Sequence, residues 1–235
     1  MRKLLILLVV LILLVVGVDI GGRAFAESKA GEAIATQTGT VAPSVHIHGF
    51  SFLAQALPGH YQNITLTSQD VAAGPITGIA ATIELYDVDL PLGDALNGTA
   101  SNLRAAQVRL HGEIPTSRIS AAMTQTGVTI TAGPGGAIRV GATVSVAGQQ
   151  IPVTADLVAS FSSGALHLDA KGLTAAGISL PSIAGLNIAD LARNLSLALP
   201  LRDLPFTVQA ATLTASGTNL VLTAIANDVR IAAKT

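Results

Sequence analysis

HIHGFSFLAQALPGHYQNITLTSQDV, residues 46–71, decides the fold of this 235-residue chain. Val45 and Ile47 alternate with His46 and His48, as in a strand with one dry face. Gly49 allows an abrupt change of direction. Phe50, Phe52, Leu53, Ala56 and Leu57 then come too densely for a period of two. The spacing of Phe50, Leu53 and Leu57 predicts about two turns of helix with one oily side. Pro58-Gly59 ends that helix, because proline brings no N–H and glycine accepts a left-handed bend. From Tyr61 the alternation resumes, with Tyr61, Asn63, Thr65 and Thr67 opposite Gln62, Ile64, Leu66 and Ser68, which predicts a second strand.

Aromatic residues make up only 3% of the chain, and three of the seven fall in this stretch. That concentration marks Phe50, Phe52, Leu53, Leu57 and Tyr61 as the candidate site. Two roles are open to them. They staple the first strand to the core, as aromatic clusters commonly do, or they line the lip of an apolar slot.

Composition narrows the function classes. Charged residues are 11% of the chain, against about a quarter in an ordinary soluble domain. Much of the surface must therefore be Ser, Thr, Gln, Asn, Gly and Ala, together with apolar area that no core closes off. The net charge is −1 and Lys and Arg cluster nowhere beyond residues 2–3, which excludes nucleic acid as a partner, since phosphate binding needs a basic footprint. There is no cysteine, hence no disulfide framework and no thiolate metal site.

Ahead of the deciding stretch, Arg2-Lys3 precedes an unbroken run of Leu, Ile and Val from Leu4 to Val18. The run is short for a membrane span and typical of a signal sequence, and Ala24-Phe25-Ala26 before Glu27 fits a small-x-small cleavage site. Residues 1–26 are expected to be a signal peptide or an N-terminal membrane anchor, and residues 27–235 a single β-rich domain. Either way the body lies outside the cytoplasmic membrane. Glu27–Gln37 is Ala-rich with Ile34 on one face and predicts a helix stopped by Gly39.

Beyond it, Ile76–Val88 and Ala100–Ile114 predict long strands, and Thr116–Met123 a short helix opened by Pro115. The clearest pattern follows Gly133-Pro-Gly-Gly136. Ile138, Val140, Ala142 and Val144 alternate with polar residues; so do Ile151, Val153, Ala155, Leu157 and Phe161, and then Leu166, Leu168 and Ala170, with turns between. This predicts an antiparallel meander with one apolar face. Asn187–Leu195 predicts a helix with an Asn cap, and Phe206–Ala215 with Leu220–Ile231 a closing hairpin. The expected class is α+β: one long, strongly curved antiparallel sheet wrapped around one or two helices.

Chemistry-bearing patterns are sparse. His46-x-His48, with His60 nearby, and Asp87-x-Asp89 share strand faces, but neither brings the further ligands a zinc or calcium site needs. G-x-S-x-G is absent, and the Gly133–Gly136 loop lacks the Lys-Ser/Thr of a phosphate loop. No enzyme and no cofactor are expected. Arg104, Arg109, Arg118, Arg139 and Arg202 are isolated cations able to meet a lipid phosphate.

Gly49-Phe-Ser-Phe-Leu-Ala-Gln-Ala-Leu-Pro-Gly-His-Tyr61 resembles the G-F-P-F-L-T-Q-x-x-x-G-x-Y signature of the LmeA-like phospholipid-binding family, actinobacterial exported envelope proteins. Leu199–Phe206 and the two strands after it are similar to the family's closing pattern. Ser51 stands where the family usually has proline, which implies a looser turn. The resemblance implies a taco-like sheet bent around a helix, an apolar slot for acyl chains, and phospholipid and the membrane surface as partners. It also implies a role beside envelope glycolipid (lipomannan-type) assembly. The alternative function is an envelope adaptor that binds a protein partner by adding a strand to an open sheet edge.

Overall fold

The computed structural model describes residues 2–73, 76–96, 102–122, 127–146, 149–175, 178–179, 192–193, 195–201 and 206–230. The chain is α+β, mostly antiparallel sheet with a few helices. It divides into two compact units, one of residues 1–68, 82–109 and 227–235, the other of residues 69–81 and 110–226.

The first unit begins with one uninterrupted helix, α1 (Arg2–Thr38). The apolar run and the helix expected from Glu27 are thus a single element. β1 (Ser44–His48), α2 (Phe52–Ala56) and β2 (His60–Ala73) follow, as the deciding stretch predicts. β1 pairs antiparallel with β2, Val45 opposite Leu66 and Ile47 opposite Ile64. β3 (Ile76–Asp89), α3 (Leu92–Leu96) and β4 (Arg104–Pro115) come next, and β2, β3 and β4 each contribute residues to both units.

The second unit holds α4 (Thr116–Ala122), β5 (Thr129–Ala132), β6 (Ile138–Val146), β7 (Gln149–Ser162) and β8 (Ala165–Ala175). It also holds the short β9 (Ile178–Ser179), β10 (Leu197–Pro200), β11 (Ala210–Ser216) and most of β12 (Asn219–Arg230). The described strands form two sheets, ordered β1-β2-β3-β4-β12-β11 and β10-β8-β7-β6-β5, with β9 beside β8. The meander is as its alternation requires: Val140, Ala142, Val153, Ala155, Leu157, Leu166, Leu168 and Ala170 are all buried. The helix expected at Asn187–Leu195 lies mostly outside the described residues.

Strict alternation fails on the long strands of the first sheet. Residues 79, 81 and 85 of β3 face inward, but Val88 is buried and Asp87 is exposed. Asp87 takes a left-handed φ of 48°, and the buried phase reverses there. Asp228, with φ 50°, does the same between buried Ala226 and Val229 on β12.

Candidate functional site

α2 is too short to stand alone, and side chains hold it in place. Ser51 is its N-cap, its Oγ accepting the Ala54 N–H at 3.2 Å. Gln55 is a buried polar residue at the hub of the corner. Its Nε2 donates to the His48 carbonyl at 3.0 Å and the Ser51 carbonyl at 3.2 Å, and its Oε1 accepts the Gln62 N–H at 2.9 Å. One side chain thereby ties β1, α2 and β2 together. Gly49, at φ 126°, leaves room for it: a Cβ there would collide with Gln55 Nε2. Gly59, at φ 73°, turns the chain into β2 and accepts the Leu90 N–H at 2.8 Å.

A ladder of side chains from α1 closes the outside of this corner. Asp19 Oδ1 accepts the Leu53 N–H at 2.7 Å and the Ser51 hydroxyl at 2.8 Å. Arg23 Nη2 donates to the Gly49 carbonyl at 2.9 Å. Glu27 Oε1 accepts the Ile47 N–H at 2.7 Å and lies 3.3 Å from His46 Nδ1. Gly31 passes so close that a Cβ would sit 2.7 Å from the Pro43 carbonyl. These residues are four apart, so they form one stripe of the helix. α1 therefore runs antiparallel to β1, and its side chains occupy main-chain groups that an edge strand would otherwise present. The Leu53 N–H, then the Ser51 hydroxyl and the Phe52 N–H, hold the Asp19 carboxyl below its ordinary value. Ser51, expected to loosen the turn in place of proline, instead binds it at both ends.

The candidate residues divide by depth. Phe52 and Tyr61 are buried, at 8% and 3% exposure, and the Phe52 ring lies 3.3 Å from where a Cβ on Gly22 would stand. Burial raises the Tyr61 phenol above its ordinary pKa. Leu53 is half-buried. Phe50 is fully exposed and Leu57 is 72% exposed. The corner thus combines a stapled interior with an oily exterior.

The histidines and arginines are spread out. His48 Nε2 is 2.9 Å from Thr65 Oγ1, and His60 Nδ1 is 2.7 Å from Asp89 Oδ1. Among the described residues no group of three or more His, Cys, Asp or Glu is placed to hold a metal ion. Arg109 lies over the Tyr86 ring at 4.9 Å, and Arg139 pairs with Asp156 at 3.0 Å. Arg202 lies outside the described residues.

Sequence reasoning passed over Gln55, Asp19, Arg23 and Gly31. The signal for three of them was present: Asp19, Arg23, Glu27 and Gly31 recur every four residues across the boundary drawn at Ala26. Among the residues whose side chains the structure describes, which in α1 begin at Ile12, no helix is long and apolar enough to cross a membrane.

The sequence profile of the LmeA-like phospholipid-binding family matches residues 17–225. No curated protein and no solved structure matches the chain.

Proposed function

The chain belongs to the LmeA-like phospholipid-binding family, and we propose that it binds and carries phospholipid in the cell envelope without catalysing a reaction on it. The observation that carries this is the extent of the family match, which covers the corner, both sheets and the docked part of α1. Binding would be hydrophobic: each buried methylene contributes about 0.8 kcal/mol, so covering half an acyl chain gives useful affinity. Phe50, Phe52, Leu53, Leu57 and Tyr61 are the side chains proposed to meet the acyl chains, with Phe50 and Leu57 outermost. The apolar N-terminus supports export to the outer side of the cytoplasmic membrane. There the carrier would serve envelope glycolipid assembly of the lipomannan type.

Native mass spectrometry of the purified chain tests the carrier. A bound mass equal to a phospholipid, diminished in Phe50→Ser/Leu57→Ser, is the expected result. A ligand-free mass with a stoichiometric protein partner would favour the adaptor. The edge of β1 is a poor place for such a partner, because Glu27 and Arg23 already hold its Ile47 N–H and Gly49 carbonyl.

A further inference from the structure

The strongest unexplained feature is the exposed stretch of α1 from Ile12 to Val18. Ile12, Leu13, Leu14, Val15, Val16 and Val18 are all exposed. At 3.6 residues per turn, five consecutive residues cover every side of a helix. A protein groove covers one stripe of a helix; only hydrocarbon covers all of them. From Asp19 on, α1 is part of the fold. Cleavage after Ala26 would remove Asp19 and Arg23 and strip the acceptor from the Leu53 N–H and the donor from the Gly49 carbonyl. It would also remove Gly22 from beside Phe52.

We propose that α1 is retained as a membrane anchor, and that the α2 corner beside it, carrying Phe50 and Leu57, is seated on the bilayer surface. Leu4–Val18 gives about 22 Å of helix, less than the ~30 Å hydrocarbon core. So short a segment holds Asp19 close to the interface. Asp19 is bonded to Ser51 and Leu53, which brings α2 to the level where α1 leaves the lipid. There the corner presents Phe50 and Leu57 outward, the kind of side chain that enters the headgroup boundary. This goes beyond phospholipid carriage and does not require it.

The chain has no tryptophan, so a single introduced one reports its own surroundings. The full chain, expressed with its N-terminus free, should be recovered in membranes that resist alkaline extraction, with an intact mass that includes residues 1–26. A mature N-terminus at Glu27 would overturn retention. For the corner, Phe50→Trp and Leu57→Trp would be placed in vesicles of brominated phosphatidylcholine. Both positions are exposed, so the variants should fold. Their fluorescence should fall at least twofold, while Val41→Trp, exposed near the far end of the docked helix, stays bright. Unquenched Phe50→Trp and Leu57→Trp would overturn the seating. Quenching should vanish on transfer to unbrominated detergent; quenching that survives repurification would mean that Phe50 and Leu57 meet carried lipid, as the carrier reading has it, and would overturn the seating while leaving carriage standing.

Discussion

The corner of β1, α2 and β2 and the meander of β6, β7 and β8 are built on opposite principles. The meander holds through repetition: small aliphatic side chains on one face of each strand, turned against the core, with main-chain pairing in register from Ile138–Leu157 to Val146–Gln149. The corner holds through individual bonds, in which Gln55 spans three elements and Asp19, Arg23 and Glu27 reach in from a helix twenty or more residues away in the chain. Repetition shares the load among many weak contacts. Individual bonds concentrate it, so that the shape of the corner depends on a few side chains.

The largest expected effect belongs to the meander. Leu166 is fully buried on β8, opposite Phe161 of β7 and Leu199 of β10. Leu166→Ala should cost about 2–5 kcal/mol in denaturant unfolding, from lost transfer energy and the cavity left behind. Gln55→Leu should come second, at about 1–3 kcal/mol, because it keeps the volume but strands the Gln62 N–H and the His48 carbonyl. Hydrogen exchange should separate the two, with Gln55→Leu speeding exchange in β1 and α2 and leaving β6–β8 slow. If Gln55→Leu exposed the meander amides equally, the two regions would not be independent in the way drawn here.

The same contrast explains what could be read from sequence. Alternation survives translation into strands wherever the backbone keeps one phase, so β6, β7 and β8 were legible residue by residue. Asp87 and Asp228 break the phase through left-handed backbone, and nothing in an isolated aspartate announces that choice over an ordinary exposed position. α2 was legible from the density of its apolar residues and its Pro58-Gly59 stop, but not from the spacing of Phe50, Leu53 and Leu57: Phe50 lies ahead of the helix, and the buried side is Phe52, Gln55 and Ala56. Its ties were not, because a glutamine among apolar residues gives no sign of which carbonyls it will face. The helix was split at Ala26 because hydropathy changes there, although the polar stripe through Asp19, Arg23, Glu27 and Gly31 runs across the change. The five apolar candidates share the corner, but their division into buried Phe52 and Tyr61 and exposed Phe50 and Leu57 depends on where α1 lies.

Acid should loosen the corner before the meander. Asp19 is held below its ordinary carboxyl pKa chiefly by the Leu53 N–H. A carboxylate depressed in the folded state adds stability above its unfolded value, near 4, and loses it as pH falls through the folded value. As pH falls below about 4, the Leu53 amide signal should shift and its exchange should quicken. Asp19→Asn should abolish the pH dependence while leaving the meander amides unchanged. A corner equally labile in the variant and the parent over that fall in pH would show that Asp19 does not anchor α2.

The smallest effect tests whether the meander contains any single bond that matters. Arg139 and Asp156 face each other across β6 and β7, 3.0 Å apart, both about half exposed. This ion pair resembles the ties of the corner, yet its setting differs: water and salt reach both partners, and each long side chain gives up rotamer freedom to meet the other. Exposed pairs of this kind contribute about 0.2–1 kcal/mol, less at high ionic strength. A double-mutant cycle of Arg139→Ala and Asp156→Ala should give a coupling in that range that shrinks in 1 M salt, where the Debye length is about 3 Å. A coupling above about 2 kcal/mol that ignored salt would mean that the meander, too, rests on particular polar bonds.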